Sequence, residues 1–246
     1  SATLDFDEHS EVIKSTLAIV NKRIPVVAGS GANSTSEALQ LTQRSKELGA
    51  DACLLVTPYY NKPTQKGLYA HYKKIADEVS IPQILYNVPG RTSVDMLPDT
   101  VYDLSSHPNI VGIKEASGDL ERSKEILEKC SDNLSIFTGD DKTSARDIGL
   151  GFSGNISVTA NIVPLDMHNM CKLASEGNSD DAQKINTKID TLHDNLFIES
   201  NPIPVKWALN KMGLIKKGIR LPLVWMDEKY ESELEKSLID AGVKIK

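Results

Sequence analysis

Short β-branched and apolar runs recur along the chain at residues 24–28, 52–56, 83–88, 110–114, 134–137 and 155–159. Polar and amphipathic stretches of helical length separate them. One of these, residues 33–48, opens on the capping candidates Asn33 and Ser34 and closes on Gly49. The strand starts lie about 20 to 30 residues apart, the spacing of consecutive βα units that build a parallel sheet. Runs such as LLV and IVGI are apolar at successive positions, which predicts strands buried on both faces. After Ala160 the rhythm stops, and residues 163–176, 180–197, 204–212 and 229–241 read as helices. Residues 5–20 also read as a helix, with Val12, Ile13, Leu17 and Ile19 as its apolar face, and no strand precedes it.

This pattern predicts an α/β protein built as a (β/α)8 TIM barrel lacking its first two strands, with a C-terminal helical appendage. Residues 1–160 would form the truncated barrel, and 161–246 its final helix and the helical region. A closed barrel needs eight strands and six are legible, so the chain is expected to begin inside a βα unit. Roughly 40–50 further residues would complete it at this spacing. The alternative is a doubly wound open sheet, which tolerates six strands.

Composition narrows the partners. The 246 residues are 40% apolar and 25% charged, an ordinary globular mixture. A net charge of −6 argues against a polyanionic partner such as nucleic acid. The longest apolar runs are strand-sized, well short of the ~20 residues that cross a bilayer, so no membrane partner is expected. Cys53, Cys130 and Cys171 form no CxxC pair, which suggests neither a disulfide framework nor a zinc knuckle. A reduced, cytoplasmic setting is the expectation.

Candidate chemistry concentrates at strand ends. Lys114 closes the run IVGIK, where a lysine pairs with a carboxylate, snorkels to solvent, or is a desolvated amine kept for reaction. In (β/α) barrels the active site lies at the C-terminal ends of the strands. Desolvation there lowers an amine's pKa and makes it nucleophilic towards a carbonyl carbon. Tyr86 lies near the end of another run and is either a core residue or a proton shuttle. Arg91, in the turn that follows, is a surface residue or a planar fork for a carboxylate. Tyr59 and Tyr60 read as packing or as an oligomer interface. Gly139, Asp140 and Asp141 sit at a further strand end, where Asp141 is best explained as a helix N-cap.

Other motifs are excluded. Gly149, Gly151 and Gly154 satisfy GxGxxG but follow a helix and precede a strand, the reverse of the dinucleotide fingerprint. There is no P-loop, GxSxG or HExxH, and the five histidines lack ligand spacing, so no catalytic metal is expected.

VAGSGANST, VTPYYNKP, LYNVPGRT, GIKEASGD, SGNISVTAN and NPIPVKWAL follow one another in an order that resembles the dihydrodipicolinate synthase family across essentially the whole chain. The resemblance implies condensation of pyruvate with aspartate semialdehyde, with no cofactor beyond a covalent pyruvate imine on Lys114. The enamine form of that imine would attack the aldehyde. Tyr86 matches the proton-relaying tyrosine, and Tyr60 the tyrosine that enters a neighbouring subunit's site. A homo-oligomer, a dimer or a dimer of dimers, is thereby implied. Arg91 matches the arginine that holds the semialdehyde carboxylate, and Gly139 and Ile156 match backbone positions lining the pyruvate pocket.

Neuraminate and keto-deoxy-sugar-acid lyases share the lysine and tyrosine, and Arg91 within YNVPGRT favours the synthase. The family's Gly-Thr-Thr-Gly-Glu segment would fall just before Ser1. Its relay threonine is absent, so slow turnover by this chain alone is expected. A truncated structural or ligand-binding subunit is the non-enzymatic alternative. Ala2, His9, Asn33, Glu37 and Tyr59 match the family's inhibitory lysine site, but Phe6 stands where a histidine is common, which implies weak lysine control.

Overall fold

An aspartate followed three residues later by a glutamate starts the first helix. Asp5 caps α1 (Phe6–Val20): its carboxylate accepts the Glu8 N–H while the Glu8 carboxylate accepts the Asp5 N–H. The expected apolar face is only partly right. Ile13 is buried and Leu17 half-buried, on one stripe with Ser10, whereas Val12 and Ile19 are 52% and 74% exposed. Residues 12 and 19 are seven apart and share a second stripe, about 100° round the helix from the first.

The computed structural model describes residues 2–246, which fall into two units, one up to Phe137 and one from Thr138 to Lys246. In the first, strands and helices alternate. β1 (Val27–Gly29) leads to α2 (Thr35–Leu48), β2 (Ala52–Val56), α3 (Gln65–Glu78) and β3 (Gln83–Asn87). The short α4 (Pro89–Thr92) and α5 (Pro98–Ser105) precede β4 (Ile110–Glu115), and α6 (Leu120–Cys130) leads to β5 (Ser135–Thr138). β1 to β4 pair in parallel, each with the next in chain order.

β1 begins at Val27 rather than at residue 24. Pro25 has no N–H to give a ladder, and Val26 is committed to the turn before β2: its N–H donates to the Asp51 carboxylate at 2.7 Å, and its carbonyl accepts the Asp51 N–H. Gly49 ends α2 with φ +95°, a left-handed cap that costs glycine little. Tyr72 ties α3 to the sheet, with its ring fully buried and its hydroxyl donating to the Leu55 carbonyl at 3.1 Å.

The second unit is mostly helical. α7 (Ser144–Gly149) precedes β6 (Gly154–Asn155), so the three glycines of the rejected GxGxxG do run from helix into strand. β6 is shorter than the run 155–159, because Thr159–Asn161 turns into a 3-10 helix. α8 (Pro164–Ser175), α9 (Ser179–Asn195), α10 (Ile203–Lys211) and α11 (Glu231–Asp240) follow. They bury Met167, Met170, Ile189, Leu192, Trp207, Leu234 and Leu238. Each such side chain contributes about 1.5–3 kcal/mol of hydrophobic stabilisation.

His71 on α3 makes the fold acid-sensitive. It is 5% exposed, and its Nδ1 lies 2.9 Å from the Thr35 hydroxyl. Burial pushes its imidazole from 6.5 down to about 4. Between those values the unfolded chain takes up a proton that the native state refuses. The stability contributed by the neutral ring is thus complete above pH 6.5 and lost as the pH falls to about 4, on the order of 3 kcal/mol. His71→Gln, which cannot titrate, should lose less urea resistance than the wild type between pH 7 and pH 4.5. Equal losses in the two proteins would show that His71 is not the sensor.

Candidate active site

Strand register brings two of the expected residues together. Val56 of β2 pairs with Tyr86 of β3, and Tyr86 pairs with Lys114 of β4. Residues in register on parallel strands point to the same face, so the lysine and the tyrosine are neighbours. The Lys114 Nζ lies 4.4 Å from the centre of the Tyr86 ring, and Lys114 is only 9% exposed. β4 extends one residue past the expected end, to Glu115, so Lys114 is held by ladder hydrogen bonds rather than by a loop. Gly112, two residues earlier, permits a close approach by β5: a Cβ there would meet the Ser135 carbonyl oxygen at 2.6 Å.

Burial pushes the Tyr86 phenol up, and the nearby positive charge of Arg91 opposes that rise. Near neutral pH the hydroxyl therefore keeps its proton and can both donate and accept. An amine pressed against an aromatic face and beside a neutral phenol suits addition to a carbonyl followed by loss of water.

Arg91 stands exposed on α4, in the turn after β3. Tyr60 is 88% exposed and holds φ +73°. A bulky side chain in the left-handed region is an outlier that costs about 1–2 kcal/mol. Tyr59 beside it is 39% exposed.

Gly139 and Ile156 belong to the second unit. Gly139 follows β5, and the Ile156 N–H donates to the Thr138 carbonyl at 3.0 Å. Asp141 is not the N-cap expected of it. Thr143 holds the cap position of α7, without a side-chain bond to a helix N–H, and Asp141 is buried. Its carboxylate accepts the Val158 N–H at 3.0 Å, the Thr159 N–H at 2.8 Å and the Asn155 side chain at 2.8 Å. Thr159 in turn lies 2.9 Å from His193 Nδ1. Asp141 thus fixes the stretch that carries Ile156.

The residues matched to a lysine site are spread over two helices, α1 and α2, and the loops before α1 and after β1 and β2. Ala2 is exposed ahead of α1, and Phe6 opens that helix at 42% exposure. His9 Nε2 lies 2.8 Å from the Gly29 carbonyl at the end of β1. The Asn33 carbonyl accepts from Asn61 at 2.8 Å, joining the loops after β1 and β2, while Glu37 lies in the first turn of α2. Among the described residues, no group of three His, Cys, Asp or Glu side chains is placed to hold a metal, and no helix is long and apolar enough to cross a membrane.

Comparison with known proteins follows the same lines. The model of the Dihydrodipicolinate synthetase family matches residues 1–241. A 4-hydroxy-tetrahydrodipicolinate synthase of Pseudomonas putida (strain W619) is 58% identical over 99% of this chain and 83% of its own length. The synthase of Thioalkalivibrio sulfidiphilus (strain HL-EbGR7) is 56% identical over the same shares. The crystal structure of the chloride-inhibited dihydrodipicolinate synthase from Acinetobacter baumannii, complexed with pyruvate, is 54% identical. It superposes with a TM-score of 0.97 over 99% of this chain and 84% of that one.

Removing the Asp141 carboxylate strands three donors. Asp141→Ala should destabilise the chain by about 2–4 kcal/mol, from lost charge-assisted hydrogen bonds. It should also speed hydrogen exchange at the Val158 and Thr159 amides by tenfold or more. Exchange at those two amides that matches the wild type would refute this anchoring role.

Proposed function

Since the chain belongs to the dihydrodipicolinate synthetase family, we propose that it condenses pyruvate with L-aspartate 4-semialdehyde to 4-hydroxy-tetrahydrodipicolinate in lysine biosynthesis. The observation that carries this reading is the dehydrated Lys114 amine seated at the end of β4 against the Tyr86 ring.

The Lys114 amine adds to the C2 carbonyl carbon of pyruvate, and a proton passes to the oxygen. Loss of water then leaves an imine. The positive imine nitrogen acidifies the C3 hydrogens, and removal of one gives an enamine whose C3 attacks the semialdehyde carbonyl. The semialdehyde's own amine then adds to the imine carbon and displaces the Lys114 amine, which closes the ring and frees the enzyme. Tyr86 is assigned to move protons in these steps, because its hydroxyl remains protonated beside the amine. The substrate carboxylate is assigned to Arg91, whose exposed guanidinium offers a two-pronged fork. No metal or organic cofactor takes part in this scheme. Backbone groups of Gly139 and Ile156 are assigned to pyruvate.

Tyr60 is given a role in a homo-oligomer, a dimer or a dimer of dimers. A tyrosine held left-handed and 88% exposed is a costly way to leave a ring in water, and a second copy burying it would offset that cost. Lysine inhibition is proposed to be weak, since Phe6 offers an aromatic face where a polar partner would be needed. The free cysteines suit a cytoplasmic setting.

Incubation with pyruvate and borohydride should place a reduced adduct on Lys114, and Lys114→Ala should abolish it. Mass spectrometry that found the adduct on another lysine would defeat the assignment. In steady-state assays, Arg91→Ala should raise the KM for the semialdehyde roughly ten- to hundredfold, the effect of losing about 1.5–3 kcal/mol from a charged pair, and leave the KM for pyruvate much less altered. Equal KM changes for both substrates, or faster cleavage of a sugar acid, would move the chain to the sugar-acid lyases.

A further inference from the structure

One residue beyond the Tyr86–Lys114 pair, Asn87 of β3 stands in register with Glu115 of β4. Alternation along a strand turns this second pair to the opposite face. Both residues are buried, Asn87 completely and Glu115 at 3% exposure. The Glu115 carboxylate accepts the Ser117 N–H at 2.7 Å, Arg122 Nε at 3.1 Å and the Asn87 side-chain amide at 3.2 and 3.4 Å. Arg122 reaches the Asp95 carboxylate at 3.1 Å through Nη1 and donates to the Met96 carbonyl through Nη2. Asn87 donates to Asp95 at 2.9 Å and accepts the Met96 N–H at 3.0 Å.

The network binds three things together: the end of β3, the end of β4, and both ends of the excursion from Asn87 to Met96 that carries Arg91. Register between these strands needs such a fixture. β3 and β4 are apolar on both faces, so sliding one residue past the other costs little in hydrophobic pattern. The ladder already shifts once, between Gln83↔Ile110 and Ile84↔Gly112. A second slip near the far end would separate Tyr86 from Lys114 or turn the lysine to the wrong face.

We propose that Glu115, through Asn87 and Arg122, is a positioning residue that fixes Lys114, Tyr86 and Arg91 relative to one another. This rests on the imine reading given above. Glu115 touches no reacting atom in this scheme.

The test uses the intact chain and pyruvate–borohydride trapping on Lys114, at a temperature where circular dichroism shows every variant folded. Glu115→Gln keeps the shape but loses the charge that Arg122 grips. Arg122→Lys keeps the charge but loses the fork. Ile75→Val in the core of α3 serves as a destabilised control outside the network. Each network variant should slow trapping at saturating pyruvate by tenfold or more and displace the pH at which trapping is half-maximal, while Ile75→Val traps like the wild type. Wild-type rates and pH profiles in Glu115→Gln and Arg122→Lys would overturn the proposal. So would failure of both to fold while the control folds, which would make the network a matter of stability alone. If the wild-type chain gives no Lys114 adduct, the imine reading fails first and this proposal falls with it.

Discussion

In a parallel strand pair buried on both faces, hydrophobic alternation cannot choose the register, because every register buries apolar side chains. In this chain the choice has chemical weight, since β3 and β4 each carry a side chain proposed to react at the next-to-last position. The pairing Tyr86↔Lys114 puts a phenol and an amine on one face, and the next pairing, Asn87↔Glu115, supplies polar partners on the other. Apolar packing makes the sheet, while the polar pair selects which residues of the sheet meet.

The local environment of Lys114 follows from that pairing. Its amine lies over an aromatic ring at 4.4 Å and has little contact with water. A cation over an aromatic face is attracted to it by about 0.5–2 kcal/mol. The Tyr86 phenol is also moved by burial, but upwards, with Arg91 opposing. One strand pair therefore holds a proton-retaining phenol and a buried amine against the same ring.

Much of this was legible in the sequence, for reasons that differ between elements. β2 matches the predicted bounds because its alternation of buried and half-buried residues is uninterrupted and turn residues flank it. β1 and β6 were drawn too long or misplaced, since hydrophobicity alone cannot report that Val26 is bonded to Asp51 or that Thr159 enters a 3-10 turn. Lys114 and Tyr86 stood out because each lies at or near the end of an apolar run. Glu115, Asn87 and Arg122 did not, being single polar residues in three separate segments. Their signal is present all the same: each strand has a polar residue immediately after the candidate, on the opposite face by alternation. Asp141 was taken for a helix cap because caps are local and sequence shows only local geometry. Its real partners lie 14 to 18 residues away.

Glu115 and Asp141 belong to different units but solve the same problem. At the C-terminal end of a strand the ladder gives out, and the backbone that follows must satisfy its N–H groups by other means. A buried carboxylate can accept several donors at once, and charge-assisted bonds are roughly twice as strong as neutral ones. Glu115 takes a backbone N–H, an amide and a guanidinium, while Asp141 takes two backbone N–H groups and an amide. A hydrophobic replacement could fill either space, and buried ion pairs often add little net stability over such a replacement. It could not specify which N–H groups point where. Directional bonding is what an irregular segment needs when its backbone or side chains must meet a small substrate. In each unit the carboxylate sits beside a candidate residue: next to Lys114 in one, and two residues after Gly139 in the other.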